Sequence, residues 1–154
     1  MTTNAAQSEQ PPADLIAGEC LAVRVRLLNR TITGIYDGAL RPLSMTVGQL
    51  NILFTVAKLG PISPGDVARQ LNMEKSTLSR NVDRMRGHGW IVVLPGESGR
   101  NQMLGISPKG RKVLGKAVPL WKEAQARAKA VLGERGARSI LRVADAVWAQ
   151  LGRE

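Results

Sequence analysis

Between Lys75 and Arg84 the chain sets hydroxyl and guanidinium side chains at a spacing that a helix would gather onto one side. Taken at 100° per residue from Leu78, Val82 and Met85 fall within ~40° of it, so these three make an apolar stripe. Ser76, Thr77, Arg80 and Arg84 point the other way, with Ser79 and Asp83 flanking. Hydroxyls and guanidiniums bond phosphate oxygens and base edges. Lys75 at the head of the segment adds a point charge. A merely solvated helix more often carries Glu/Lys pairs at i, i+4, and such pairs are lacking here. The chemistry implied is grip on a polyanion, not bond making.

Other reactive side chains stand alone. Cys20 is the single cysteine, and a small buried hydrophobe is the commonest fate of a free cysteine. His88 is the single histidine, in a Gly87-His88-Gly89 turn, and zinc needs several ligands at suitable spacing. No Ser/His/Asp set, P-loop or GxGxxG is present, so neither enzyme chemistry nor a cofactor or metal is expected.

The elements that would hold these residues are mostly helical. Asp14 is placed to cap a helix running to about Leu40, where Pro42 ends it. Leu50, Leu53, Phe54 and Ala57 mark one face of the next helix, stopped by Gly60-Pro61. Ser63 caps a short helix with Pro64 in its first turn and Val67, Ala68 and Leu71 inward. Asn72-Met73 breaks the chain, and the hydroxyl- and arginine-bearing helix runs from about Glu74 to Arg86. Ile91–Leu94 and Met103–Ile106 read as a β-hairpin across a polar tip that carries Arg100 and Asn101. Ser107-Pro108 opens a helix to about Leu132, with Pro119 expected to kink it, and a last helix starts near Arg135. The fold class expected is mainly α with a small β-hairpin wing, a winged helix-turn-helix plus a helical dimerisation region.

Charge follows the same map. The 154 residues carry a net charge of +10, with 44% hydrophobic and only 3% aromatic side chains, so the core must rest on aliphatic residues. Between Asn72 and Lys112, eight basic residues face three acidic ones, a local +5. Concentration around one helix and the hairpin favours double-stranded DNA as partner over a diffuse charged surface. Arg100 at a glycine-flanked tip is placed for a minor groove, where negative potential is focused. No apolar run approaches the roughly 18 residues of a membrane span, and the polar N-terminus has no signal-peptide pattern. With one cysteine and no internal disulfide, a cytoplasmic setting is expected.

Read together, these segments resemble the MarR (multiple-antibiotic-resistance regulator) family from about Asp14 to Leu151. The resemblance lies in Tyr36–Leu43 with Met45-Thr46, Val67–Met73, Ser76–Val82, Gly87–Ile91 and Leu104–Gly110. The family's wing reads Asp, any residue, Arg, then aliphatic-x-Leu-Thr. Here the arginine is kept as Arg100, while the aspartate position is Ser98, with Glu97 one residue earlier.

The resemblance implies a two-fold homodimer reading a pseudo-palindromic operator, a repressor released by a small-molecule or oxidant signal, with Cys20 placed where one branch of the family has its redox-sensing cysteine. It divides the chain into a disordered lead-in (1–13), a dimerisation helix (14–43), a winged helix-turn-helix (44–107) and C-terminal dimerisation helices (108–154). Trp121, Val131, Leu132, Val147, Trp148 and Leu151 are more apolar surface than one small domain can cover. DNA contacts are expected from Lys75, Ser76, Thr77, Ser79, Arg80, Arg84, Arg100 and Asn101. Arg24, Arg26, Arg30 and Trp90 are candidates for the pocket of a small aromatic or anionic effector. The competing reading is an architectural DNA-binding protein of low specificity.

Overall fold

The computed structural model describes residues 11–96 and 101–151, which form six α-helices and one two-stranded sheet. The chain divides into two compact units, Met1–Thr33 and Gly34–Glu154.

In the first unit the single long helix expected from Asp14 is instead two. Helix α1 (Pro12–Glu19) starts behind Pro11, and Asp14 lies in its first turn, where a carboxylate suits the helix dipole. The break comes at Cys20, whose backbone is extended (φ −64°, ψ 110°), before α2 (Leu21–Leu40) begins. Arg24 supplies the physical reason. Its guanidinium folds back to donate to the carbonyl oxygens of Cys20 at 2.9 Å and Ala17 at 3.3 Å, and to that of Gly18. A cation on the orphan carbonyls of α1 ends that helix, and Gly18 weakens the turn before it.

The second unit is built on α3 (Val47–Leu59). Thr46 and Gln49 form a reciprocal capping box at its start, and the Asp37 carboxylate accepts from Val47 N at 2.7 Å. Leu50, Ile52, Leu53 and Val56 are buried, whereas Phe54 is half exposed and Ala57 exposed. The inward face is therefore turned from the one expected through Phe54 and Ala57. The helix is packed on several sides, so its burial follows its neighbours more than its amphipathicity.

Around α3 lie α4 (Pro64–Gln70), α5 (Lys75–Gly87) and a hairpin of β1 (Ile91–Pro95) with β2 (Gln102–Ile106). The strands pair antiparallel with Ile91 opposite Ile106 and Pro95 opposite Gln102. Ile62 adds a backbone bridge to Leu104, tying the segment before α4 to the hairpin. The core runs through Leu40, Ile52, Leu53, Val67, Leu78, Met85, Trp90, Ile91 and Leu104.

Helix α6 (Pro108–Leu151) continues through Pro119 and is interrupted at Gly133. That residue has φ +68° and ψ 156°, a conformation that glycine alone adopts without strain. Two helical arms result, with the junction where the sequence placed it. Among the described residues no helix is long and apolar enough to cross a membrane.

Candidate nucleic-acid interface

Two helices joined by a fixed turn aim the basic face. Ser63 Oγ accepts from Asp66 N at 3.1 Å and starts α4, while Val67 and Ala68 anchor it inward. The end of α4 is a Schellman turn: Met73 N donates to Ala68 O at 2.8 Å and Asn72 N to Arg69 O at 3.2 Å. Asn72 takes the left-handed conformation (φ +45°), which asparagine tolerates best after glycine. The same device ends α5. There Trp90 N donates to Met85 O at 2.9 Å and Gly89 N to Arg86 O at 2.8 Å, with Gly89 at φ +73°. Each break in the sequence is thus a defined hydrogen-bonded turn, which sets the angle between the helices.

The two sides of α5 separate as its sequence requires. Leu78, Val82 and Met85 are buried at 2%, 8% and 0% exposure. Lys75, Ser76, Ser79, Arg80 and Arg84 are exposed, and Thr77 is half buried. Arg80 Nε donates to Ser76 O at 3.3 Å, and Asn81 Nδ2 to Thr77 O at 3.0 Å. Arg86 lies 3.7 Å from Asp83, whereas Lys75, Arg80 and Arg84 have no carboxylate partner among the described residues. Unpaired guanidiniums on a rigid helix are available to phosphate and base acceptors.

Two hollows border this face. One of about 360 Å³ between α4, α5 and the hairpin is lined by Lys75, Ser79, Arg86 and Gln102 among others. Another of about 650 Å³ at the α4–α5 turn takes in Arg69, Asn72, Lys75 and Ser76. Lys75 lines both. Arg69, Asn72 and Gln102 are polar residues at this face that lay outside the sequence-based set. Their signal was adjacency in the fold rather than helical periodicity. Asn101 is exposed and its carbonyl accepts from Gly96 N at 2.6 Å, closing the hairpin. Arg100, with Glu97 and Ser98, lies outside the described residues.

The hairpin base is locked to α6 by Ser107. Its hydroxyl donates to Gly89 O at 2.6 Å and accepts from Gly110 N at 2.9 Å. Gly110 packs so closely that an added Cβ would lie 2.1 Å from Trp90 O. A glutamate completing a capping box could not be fitted there.

The remaining candidates are dispersed. Cys20 is half buried at the break between α1 and α2. Arg24 is engaged with the α1 carbonyls, and Arg26 and Arg30 are exposed on α2. Trp90 is 4% exposed in the winged-helix core, its ring stacked on His88 at 4.4 Å between centroids. An apolar hollow of about 270 Å³ opens instead between α3 and α6, lined by Leu50, Asn51, Phe54, Leu114, Ala117, Val118 and Trp121. Nearby, Tyr36 Oη donates to Gln125 Oε1, and burial pushes the phenol above its ordinary pKa.

Known proteins share this architecture. The sequence pattern of the MarR family matches residues 43–100. Over 90 residues the chain is 26% identical to the multiple antibiotic resistance protein MarR of Salmonella typhimurium, covering 58% of this chain and 62% of that protein. Over 73 residues it is 25% identical to the HTH-type regulator YwoH of Bacillus subtilis, covering 47% and 53%. The chain thus spans roughly half to three-fifths of the curated relatives it matches. The crystal structure of the M. tuberculosis transcriptional regulator MosR in complex with DNA superposes with a TM-score of 0.72 at 33% identity, over 85% of this chain and 98% of that one. A mutant MarR from E. coli complexed with operator DNA gives 0.76 at 18% identity, over 86% and 96%, a likeness of fold.

Proposed function

The chain belongs to the MarR family, and on that premise we propose that it is a DNA-binding transcriptional regulator that reads its operator with α5. The observation that carries this reading is the division of α5. Leu78, Val82 and Met85 fix it in the core, while Ser76, Ser79, Arg80 and Arg84 leave hydroxyls and guanidiniums facing outward. Thr77, Lys75, Asn101 and Arg100 complete the contact set. The similar MosR is solved with DNA, which supports the same partner here. Acting on DNA, the protein works in the cytoplasm.

The regulator acts as a homodimer, because each unit leaves apolar side chains uncovered. Leu21, Val25 and Leu27 in the first unit and Leu141, Val143 and Val147 in the second are about half exposed or more. As a repressor, it releases DNA when a signal changes the distance between the two recognition helices. The α3–α6 hollow fits an apolar or aromatic effector, with Asn51 as its polar contact. Arg26 and Arg30 are the open cations of the first unit for an anionic one. Cys20, half exposed at a helix break, is the place for an oxidant signal.

Operator binding of Arg80→Ala and Arg84→Ala in gel-shift titrations tests the assignment of α5. Each substitution should weaken binding by about 1–3 kcal/mol where a base contact is lost. Unchanged affinity in both would remove α5 as the reading helix.

A further inference from the structure

We propose that α6 carries a second, sequence-independent DNA contact: the lysine stripe Lys109, Lys112 and Lys116, which holds phosphates beside the segment read by α5. The inference rests on the assignment of α5 as the reading helix. At i, i+3 and i+7 the three lysines lie within about 60° of one another and span about 10 Å of helix. All three are exposed, and none has a carboxylate partner among the described residues.

The charge pattern along α6 is uneven in a way that a solvated helix does not need. From Gln102 to Lys122 there is no aspartate or glutamate, while Lys109, Arg111, Lys112, Lys116 and Lys122 are all cationic. Further along, acids return to the helix, and Arg127 pairs with Glu123 at 4.0 Å and Arg138 with Glu134 at 3.6 Å, both at i, i+4. Paired charges mark an ordinary solvated surface. The unpaired run marks a face that meets negative charge from elsewhere.

The stripe also starts where the recognition helix ends. The stem of Lys109 lies on bare Gly89, so that an added Cβ there would meet Lys109 Cδ at 3.5 Å and Nζ at 3.9 Å. Gly89 follows the last turn of α5, which holds Arg84 and Arg86. Lys109 of α6 therefore lies next to the end of the helix that holds Arg84 and Arg86. Among polyanions the phosphate backbone fits best. A membrane-surface helix would dip large apolar residues beside its lysines, whereas Leu114 and Trp121 of α6 line the hollow toward α3.

The test is the salt dependence of operator binding by the full chain, measured by fluorescence anisotropy over a potassium chloride series. The duplex extends about one helical turn beyond each half-site. Each phosphate contact adds about 0.9 to the slope of log affinity against log salt. K109A/K112A/K116A should lower that slope by about 2.7 per protomer and keep the preference for operator over random DNA. Because the lysines are exposed, its melting curve should match the parent's. A second variant, Lys112→Glu, should lower affinity for operator and random DNA by the same factor. Slopes equal to the parent's overturn the stripe while leaving α5 in place. So does binding to phosphatidylserine vesicles that the triple variant loses with no change on DNA. A parent protein with no operator preference overturns the reading of α5 and the stripe together.

Discussion

Tyr36 is the single tyrosine of the chain, so its titration can be followed without overlap. Burial raises its pKa, because the phenolate would lose hydration beside α6. In the unfolded chain the phenol ionises in its ordinary range, whereas the folded protein holds its proton longer. The associated stability is complete below the ordinary phenol pKa and is lost as pH rises through the folded value. Ultraviolet absorbance should show ionisation delayed in the native protein, and Tyr36→Phe should flatten that part of the alkaline stability profile. A native titration matching that of free tyrosine would contradict the burial. Gly110 gives a steric counterpart. Gly110→Ala places a methyl against Trp90 O and Ile106 Cγ1 and should cost about 1–3 kcal/mol in urea unfolding, in the range of overpacked sites. An unchanged midpoint would mean that α6 shifts freely against the hairpin.

Helices whose residues repeat strictly were legible before any coordinates. The stripe of Leu78, Val82 and Met85, the cap at Ser63 and the break between Leu132 and Arg135 all follow from local chemistry, and the structure carries each of them, the last at Gly133. What escaped the sequence depends on partners distant in the chain or on one side chain reaching backward. Arg24 divides the N-terminal helix by binding carbonyls up to seven residues behind it, a contact no periodicity announces. The buried side of α3 is set by α4, α5, α6 and the hairpin around it, so Phe54 fell on the open side. Gly110 is a packing requirement set by Trp90 O and Ile106, which lie outside α6. In the candidate interface, the α5 residues were legible from their period. Arg69, Asn72 and Gln102 were not, since three separate elements bring them to Lys75.

The proposed homodimer would present two α5 helices to one DNA duplex. Leu21 and Val25 of the first unit, and Leu141, Val143, Val147 and Trp148 of the second, are exposed apolar side chains that the proposed dimer would cover. Light scattering on the eluting protein should give twice the 16.6 kDa chain mass. Leu141→Glu with Val143→Glu should shift the mass to that of the monomer and weaken DNA binding together, because two reading helices act as one bivalent contact. A dimer unchanged by both charges would place the interface elsewhere.

Sequence-specific reading by two α5 helices can be measured by selecting bound duplexes from a random pool with the purified full chain. A pseudo-palindrome whose half-sites lie about one helical turn, ~34–36 Å, apart should be enriched. A pool that stays flat through successive rounds, with binding governed by salt alone, would contradict it and leave the architectural reading in its place.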